Sequence, residues 1–402
     1  MMPNRHFEPL IDPRGKQKKY DLKLAPRPGI EGLKQGPILF YNNTKLSGGR
    51  YDRIFPQIKT HLSAQGIRRW IDVTETIRGK RTDGLMDLAE RLIRLNAAAA
   101  ILALGDMGVS PATTVLTIAL EKRGLPAVYL TASPGHELAQ AVAFYRAGRL
   151  CLCPLDIYQG STAIEVEGAV DRQMERIMAC LSAPADRLNK VARIDFPMDR
   201  IPPESNGLID LSDRLDMRDH GPGEIAAGLD EILDLFEKWR IGDGLPVVPP
   251  TAGRVDCMLN FWPADSDDVL FSDIGPSSGA VTVFHAAVSA VMAGCRPEHF
   301  PIVVTALRAM AEPNYNLIQA ITTSHPGGNL VLVSGPLVHQ IGLHGGPGCL
   351  GSGFRANATI GRGSHSQVIL PWALHSETVV LPVRLPDGRT AHHIHDFRQT
   401  SL

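Results

Sequence analysis

Two stretches of the chain gather residue types that do chemistry. One is the segment from Gly342 to Gly363, where eight glycines surround His344, Cys349, Arg355, Asn357, Thr359 and Arg362. Glycine at that density implies backbone in unusual conformations or pressed against a ligand. Around Gly346, main-chain N–H groups can approach an anion closely, and Arg355 and Arg362 can fork onto its oxygens. A helix expected from about residue 355 adds its positive end beside Arg355. Cys349 in this setting fits an activated nucleophile, or else an inert thiol beside a structural turn. His285, on an expected helix, and His325, at a strand end beside Thr322, Thr323 and Ser324, are the candidate acid–base groups. Cys349, His325 and His285 are therefore the expected catalytic residues. His344, Gly346, Arg355, Asn357 and Thr359 are expected to contact the ligand.

The other stretch lies in the first half, where polar residues follow short apolar runs. Asn43 follows Ile38–Tyr41, Asp106 and Ser110 follow Ala97–Leu104, and Ser133 follows Ala127–Leu130. If these runs are parallel strands, ligands bind outside their carboxyl ends. Ser110 then reads as an N-cap and Pro111 as the first helical residue. Such a turn is either purely structural or an anion site built from helix N–H groups.

The elements that must position these residues follow from periodicity. Strands are expected at 38–41, 70–73, 97–104, 127–130 and about 150–155. Helices are expected at 51–65, about 85–95, 111–123, 134–147 and 164–183. Strict alternation implies a parallel sheet covered on both faces, a flavodoxin-like or Rossmann-like α/β domain over residues 36–196. Residues 1–35, rich in Pro, Gly, Lys and Arg, read as an arm lying on the surface or on a partner subunit. Residues 197–222, with three prolines before Gly207 and Pro222 at the end, read as a linker. Residues 223–402 read as a second α/β or α+β domain, with helices at 225–236, 251–261, 281–293, 298–311 and 355–369 and a strand at 330–333.

Composition narrows the function. The chain has 402 residues, a formal net charge of −1 and 44% hydrophobic content. That balance gives no general pull toward nucleic acid or acidic membranes. No run approaches the about 20 apolar residues that span a bilayer, and the start Met1–His6 lacks the apolar core of a signal peptide. A cytoplasmic location is the expectation. The six cysteines are scattered without a CxxC spacing, which argues against a disulfide framework or zinc ribbon. Cys151 and Cys153 alternate along one strand face, and Cys295 sits in a turn; all three read as packing residues. His392, His393 and His395 read as a solvated tail, so no metal site is expected, and no cofactor is specified.

The stretch Gly105-Asp106-Met107-Gly108-Val109-Ser110, followed by Ala119-Leu120-Glu121-Lys122-Arg123-Gly124-Leu125-Pro126-Ala127-Val128, resembles the UGSC-type selenoprotein family. More remotely it is similar to the selenoprotein B subunit of glycine reductase. The resemblance covers roughly residues 36–165. In that pattern a selenocysteine or cysteine follows Gly-Asp and a cysteine comes three residues later. Those positions are Met107 and Ser110 here, and neither forms the thiolate or selenolate that the chemistry needs. The resemblance implies the fold but not thiol–disulfide exchange. Gly242–Thr251, Val291–Glu298 and Phe354–Arg362 resemble a region often joined to UGSC-type domains, to which no activity attaches.

Together these readings point to a non-redox enzyme, of lyase, hydrolase or transferase type, acting on a small polar or anionic metabolite between two domains. A homo-oligomer is expected. The competing expectation is a non-catalytic binding or assembly subunit, which the loss of both redox positions favours.

Overall fold

The computed structural model describes residues 9–16, 20–46, 50–106, 108–158, 160–194, 206–209, 225–239, 241, 243–274, 279–315, 317, 329–351, 353–364 and 378–382. In chain order the first half runs β1 (Leu10–Lys16), α1 (Gly29–Gln35), β2 (Ile38–Asn42), α2 (Ile54–Ala64), β3 (Trp70–Thr74), α3 (Thr82–Ile93) and β4 (Ala99–Gly105). It continues with α4 (Ser110–Lys122), β5 (Ala127–Ala132), α5 (Ser133–Ala147), β6 (Leu152–Leu155), α6 (Ala163–Ser182) and α7 (Ala185–Val191).

Five of these strands form one parallel sheet in the order β3-β2-β4-β5-β6. Every residue of the central strand β4 is buried, which is why it reads as an unbroken apolar run rather than an alternation. Alternate residues face opposite layers. Ile38, Phe40, Ile101, Val128 and Leu130 pack with α1, α2 and α6. Leu39, Tyr41, Leu102 and Tyr129 pack with α3, α4 and α5. Local signals set the helix ends. Thr162 and Glu165 bond reciprocally at the start of α6. Gly148 ends α5 at φ 72°, where a β-carbon would also strike the carbonyl oxygen of Tyr20.

The segment expected as a surface arm is instead packed into both halves. Leu22 and Leu33 join the two cores of the sheet domain. Arg27 is buried with Glu121 in a two-pronged ion pair, Nη2–Oε1 2.8 Å and Nη1–Oε2 2.9 Å. Upstream, β1 belongs to the other half: Leu10 and Ile11 sit in its core. β1 pairs antiparallel with β7 (Asn206–Ile209), which falls within the expected linker. The arm reads as loop because its apolar residues come singly or in pairs, broken up by Pro, Gly and Lys, with no helix or strand period. The rest of 197–222 lies outside the described residues.

The C-terminal half continues with α8 (Ile225–Lys238), α9 (Ala252–Leu259), β8 (Val269–Ile274), β9 (Gly279–Thr282), α10 (Val283–Met292), α11 (Phe300–Ala311), β10 (Asn329–Val333), a last helix (Arg355–Ser364) and β11 (Thr378–Pro382). Its core joins Phe236, Val255, Met258, Val291, Phe300, Val303 and Ile360. Among the described residues its strands pair only in twos, β8 with β9 antiparallel and β10 with β11 parallel. Among the described residues, helices rather than a larger sheet carry this core. No helix among the described residues is long and apolar enough to cross a membrane.

Candidate functional site

The chain runs from β2 outward to β3 and then crosses back to β4, so the strand order reverses between β2 and β4. In an open α/β sheet a ligand crevice forms at such a reversal, outside the carboxyl ends of the strands. Two loops meet there. Lys45, from the loop after β2, places Nζ 2.8 Å from Oδ2 of Asp106, from the loop after β4. Both side chains keep a small exposed edge. Tyr51 lies beside them, its phenol pushed up by burial and by the Asp106 charge.

Asn43 pins the two strand ends together. Its Oδ1 accepts from Leu104 N at 2.9 Å and from Lys45 N at 3.3 Å. Its Nδ2 donates to Leu104 O and to Thr113 Oγ1, both at 3.0 Å. Asn43 is fully buried, and all its bonding capacity is turned inward. It shapes the site from below.

Ser110 does not cap α4, as its sequence position suggests. It is the first residue of that helix, follows Val109 as the cap, and is fully buried. Its hydroxyl donates to Asp106 O at 2.7 Å, because a buried O–H must find an acceptor and that carbonyl is in reach. Beneath the loop, Tyr129 presses its hydroxyl toward Gly105, where a β-carbon would lie 2.6 Å from it. Ser110 and Thr113 are its polar neighbours. Both already donate to backbone carbonyls, and among the described residues no bond of ordinary geometry reaches the phenol oxygen. Burial keeps that phenol protonated. Gly135, in the first turn of α5, presses on the same loop: a β-carbon there would lie 2.5 Å from Gly105 O and 2.7 Å from Ser110 Oγ. The starts of α4 and α5 are therefore drawn close together.

At the next strand ends, Ser133 is the first residue of α5, exposed, with its Oγ 3.3 Å from Asp156 Oδ1. His136, one turn further on, has Nδ1 2.7 Å from Thr131 Oγ1. Burial and the charge of Arg176 hold its ring pKa below the usual histidine value, against a smaller pull from Glu137. Neither Lys45 nor His136 is among the residues expected from the sequence. His136 is within reach of the strand-end rule, since it stands in a Ser-Pro-Gly-His turn directly after a strand. Lys45 belongs to no motif.

The glycine-rich segment of the other half is brought together as expected but is differently engaged. Asn357 is buried and clamps the loop. Its Oδ1 accepts from His344 N, while Nδ2 donates to His344 O at 2.9 Å and to Cys349 O at 3.4 Å. His344 stacks on Phe354 with ring centroids 3.8 Å apart, and its edge packs under Gly346. Arg355 sends Nε and Nη2 to the carbonyl of Gly294, just past the end of α10. Arg362 is gripped by Asp243 at 2.6 and 2.7 Å and also donates to Leu245 and Pro246. The two arginines thus stitch the last helix to the protein's own backbone and to one carboxylate, a demand for partners that sequence spacing does not display. Thr359 donates to Arg355 O and receives the Cys295 thiol on its own carbonyl. Cys349 is partly exposed.

His285 stands apart from this segment, at the start of α10. Its Nδ1 accepts from Thr282 N at 3.2 Å, and burial lowers its pKa. Cys151, Cys153 and Cys295 are buried, consistent with packing roles. His325, Met107 and the C-terminal histidines lie outside the described residues. Among the described residues, no group of three or more His, Cys, Asp or Glu could hold a metal ion. Compared with known protein families, curated proteins and solved structures, the chain matches none.

Proposed function

We propose that the chain is a non-redox enzyme whose small anionic metabolite, a carboxylate or phosphate, binds at the carboxyl edge of the parallel sheet. The observation that carries this reading is the Lys45–Asp106 pair at the strand-order reversal, beside the start of α4. A lysine held there by one aspartate can exchange it for a ligand oxyanion, and the converging starts of α4 and α5 favour the same charge. Ser133, Asp156 and His136 supply further polar groups within one strand of it. The inward use of Arg355 and Arg362 shifts the anion-binding role from the glycine-rich segment to this edge, leaving Cys349 as that segment's reactive group. The resemblance to UGSC-type domains puts the reacting loop in the same place, with Met107 and Ser110 excluding thiol exchange. A lyase, hydrolase or transferase fits these groups.

A non-catalytic binding subunit is the second reading, favoured by the buried, carbonyl-bonded hydroxyl of Ser110, which is no nucleophile. The test is binding of a panel of small carboxylates and phosphate esters by ligand-observed NMR and calorimetry, followed by a turnover assay on each binder. Lys45→Met should weaken binding tens-fold or more, since losing one partner of a desolvated charge pair costs about 2–5 kcal/mol. Arg355→Ala should leave it unchanged. Binding that depends on Arg355 and ignores Lys45 would move the site to the glycine-rich segment. Binding without turnover would select the second reading.

A further inference from the structure

His136 is placed to do more than fill the edge of the sheet. Gly135 is pressed against the Gly105–Ser110 loop, so the next residue stands at that loop's flank on the first turn of α5. Among the described residues the ring is anchored by one hydrogen bond, Nδ1 to Thr131 Oγ1 at 2.7 Å. Either atom could be the donor. Thr131 decides it: the residue is fully buried at the end of β5, and among the described residues the His136 ring is the one acceptor its hydroxyl meets. A buried hydroxyl that gives its hydrogen to no acceptor is costly. The Thr131 O–H therefore donates to Nδ1. In a neutral imidazole the nitrogen that accepts carries no proton, so the hydrogen sits on Nε2.

The charged groups acting on the ring are Arg176, from α6, and Glu137, its neighbour on α5. Burial and Arg176 outweigh Glu137 and lower the ring's pKa, which favours its neutral form.

We infer that His136 is the neutral hydrogen-bond donor of the sheet-edge site, with Thr131 fixing its tautomer so that Nε2–H is offered to an oxyanion or carbonyl oxygen of a small carboxylate- or phosphate-bearing ligand. The inference rests on the reading of that edge as the ligand site. It gives His136 a role opposite to that of a general base: it donates, and takes up no proton in binding. Thr131 is then a positioning residue.

The experiment uses the full chain labelled with ¹⁵N-histidine, with the His136 signals assigned by their loss in His136→Gln. Long-range ¹H–¹⁵N spectra at pH 7 should show a neutral ring protonated at Nε2. Thr131→Val, which keeps the shape and removes the hydroxyl, should bring in a measurable Nδ1–H population. Sodium phosphate and sodium malonate, titrated separately, should move the His136 Nε2 signal saturably, together with the backbone amides of Gly108 to Ser110 in uniformly ¹⁵N-labelled protein. An Nδ1–H tautomer or a charged ring at pH 7 overturns the inference. Loop amides that move while His136 does not overturn it too, but spare the sheet-edge site. If neither moves with either anion, the site reading itself fails.

Discussion

Replacing Glu121 with Gln should destabilise the sheet domain by about 3–5 kcal/mol, the cost of breaking a buried ion pair from one side. The carboxylate is completely buried and the guanidinium nearly so. Burial works against the Arg27 charge, yet Glu121, with a further contribution from Cys151, outweighs it and raises the guanidinium pKa. Arg27 therefore cannot escape by losing its proton. Glu121 also accepts from Ala25 N and Ala127 N, both at 2.8 Å, so it ties the N-terminal strap to the first residue of β5. Glutamine keeps the volume but offers one acceptor oxygen in place of two and turns an N–H₂ toward the guanidinium. At about 1.4 kcal/mol per tenfold, the folded ratio falls by two to nearly four orders of magnitude. Arg27→Met should cost less, because the carboxylate keeps its two backbone N–H donors. The double variant should fall short of the sum by about 0.5–3 kcal/mol, the usual coupling of residues in contact. Urea unfolding, read by hydrogen exchange at the β4 and β5 amides to isolate this domain, measures all three. A Glu121→Gln cost under about 1 kcal/mol, or strict additivity in the double variant, would show that the two side chains do not hold the strap to the sheet as a coupled pair.

Gly135→Ala should lower the melting temperature through about 1–3 kcal/mol of overpacking, because its β-carbon meets backbone atoms of the 105–110 loop that have little room to yield. A melt unchanged from wild type would show that the two helix starts are looser than their contacts indicate. Asp243 gives a pH signature: burial opposes its charge, but Arg362 and the Leu245 N–H prevail, and its pKa is lowered. A folded pKa below the unfolded one means the pair's contribution is complete above the ordinary aspartate value of about 3.9 and is lost as pH falls through the folded value. Asp243→Asn should cost about 1.5–3 kcal/mol at pH 7 and remove that part of the acid sensitivity, measured by urea unfolding at stepped pH from 7 to 2. An identical acid profile in both proteins would contradict the assignment.

The sheet domain is legible in the sequence because its strands are buried on both faces and its helices are amphipathic. Runs such as Ala97–Leu104 have one physical reading in a βα alternation, and all five strands and their helices fall where periodicity puts them. The loop at 105–111 lies at a strand's carboxyl end, as the alternation requires. What escapes are features set by long-range partners. Leu10 and Ile11 look like loop residues until β7 pairs with them some 200 positions away. Arg355 and Arg362 look like free cations until the Gly294 carbonyl and Asp243 are brought beside them. Asn43 stands out in the sequence for its polarity in a loop, and Asn357 for its polarity at a helix start beside the glycine-rich loop; both are clamps whose amides are turned onto backbone groups. Polarity in a loop marks a demand for hydrogen bonds, and sequence alone does not tell whether backbone or ligand meets it.

The pairing of β1 with β7 also sets a timetable for biosynthesis. Leu10 leaves the ribosome first, while its partner Ile209 follows about 200 residues later. At about 5–20 residues per second the interval is about 10–40 s. The sheet domain has all its strands by Leu155 and can close during that wait. Its strap at Leu22–Arg27 then holds the emerging N-terminal strand at a fixed place, unpaired, with Leu10 and Ile11 uncovered. Translation is thus the period in which this chain is most open to a chaperone or to misassociation with a neighbouring copy. Cutting the chain between the halves would leave that strand permanently without its partner.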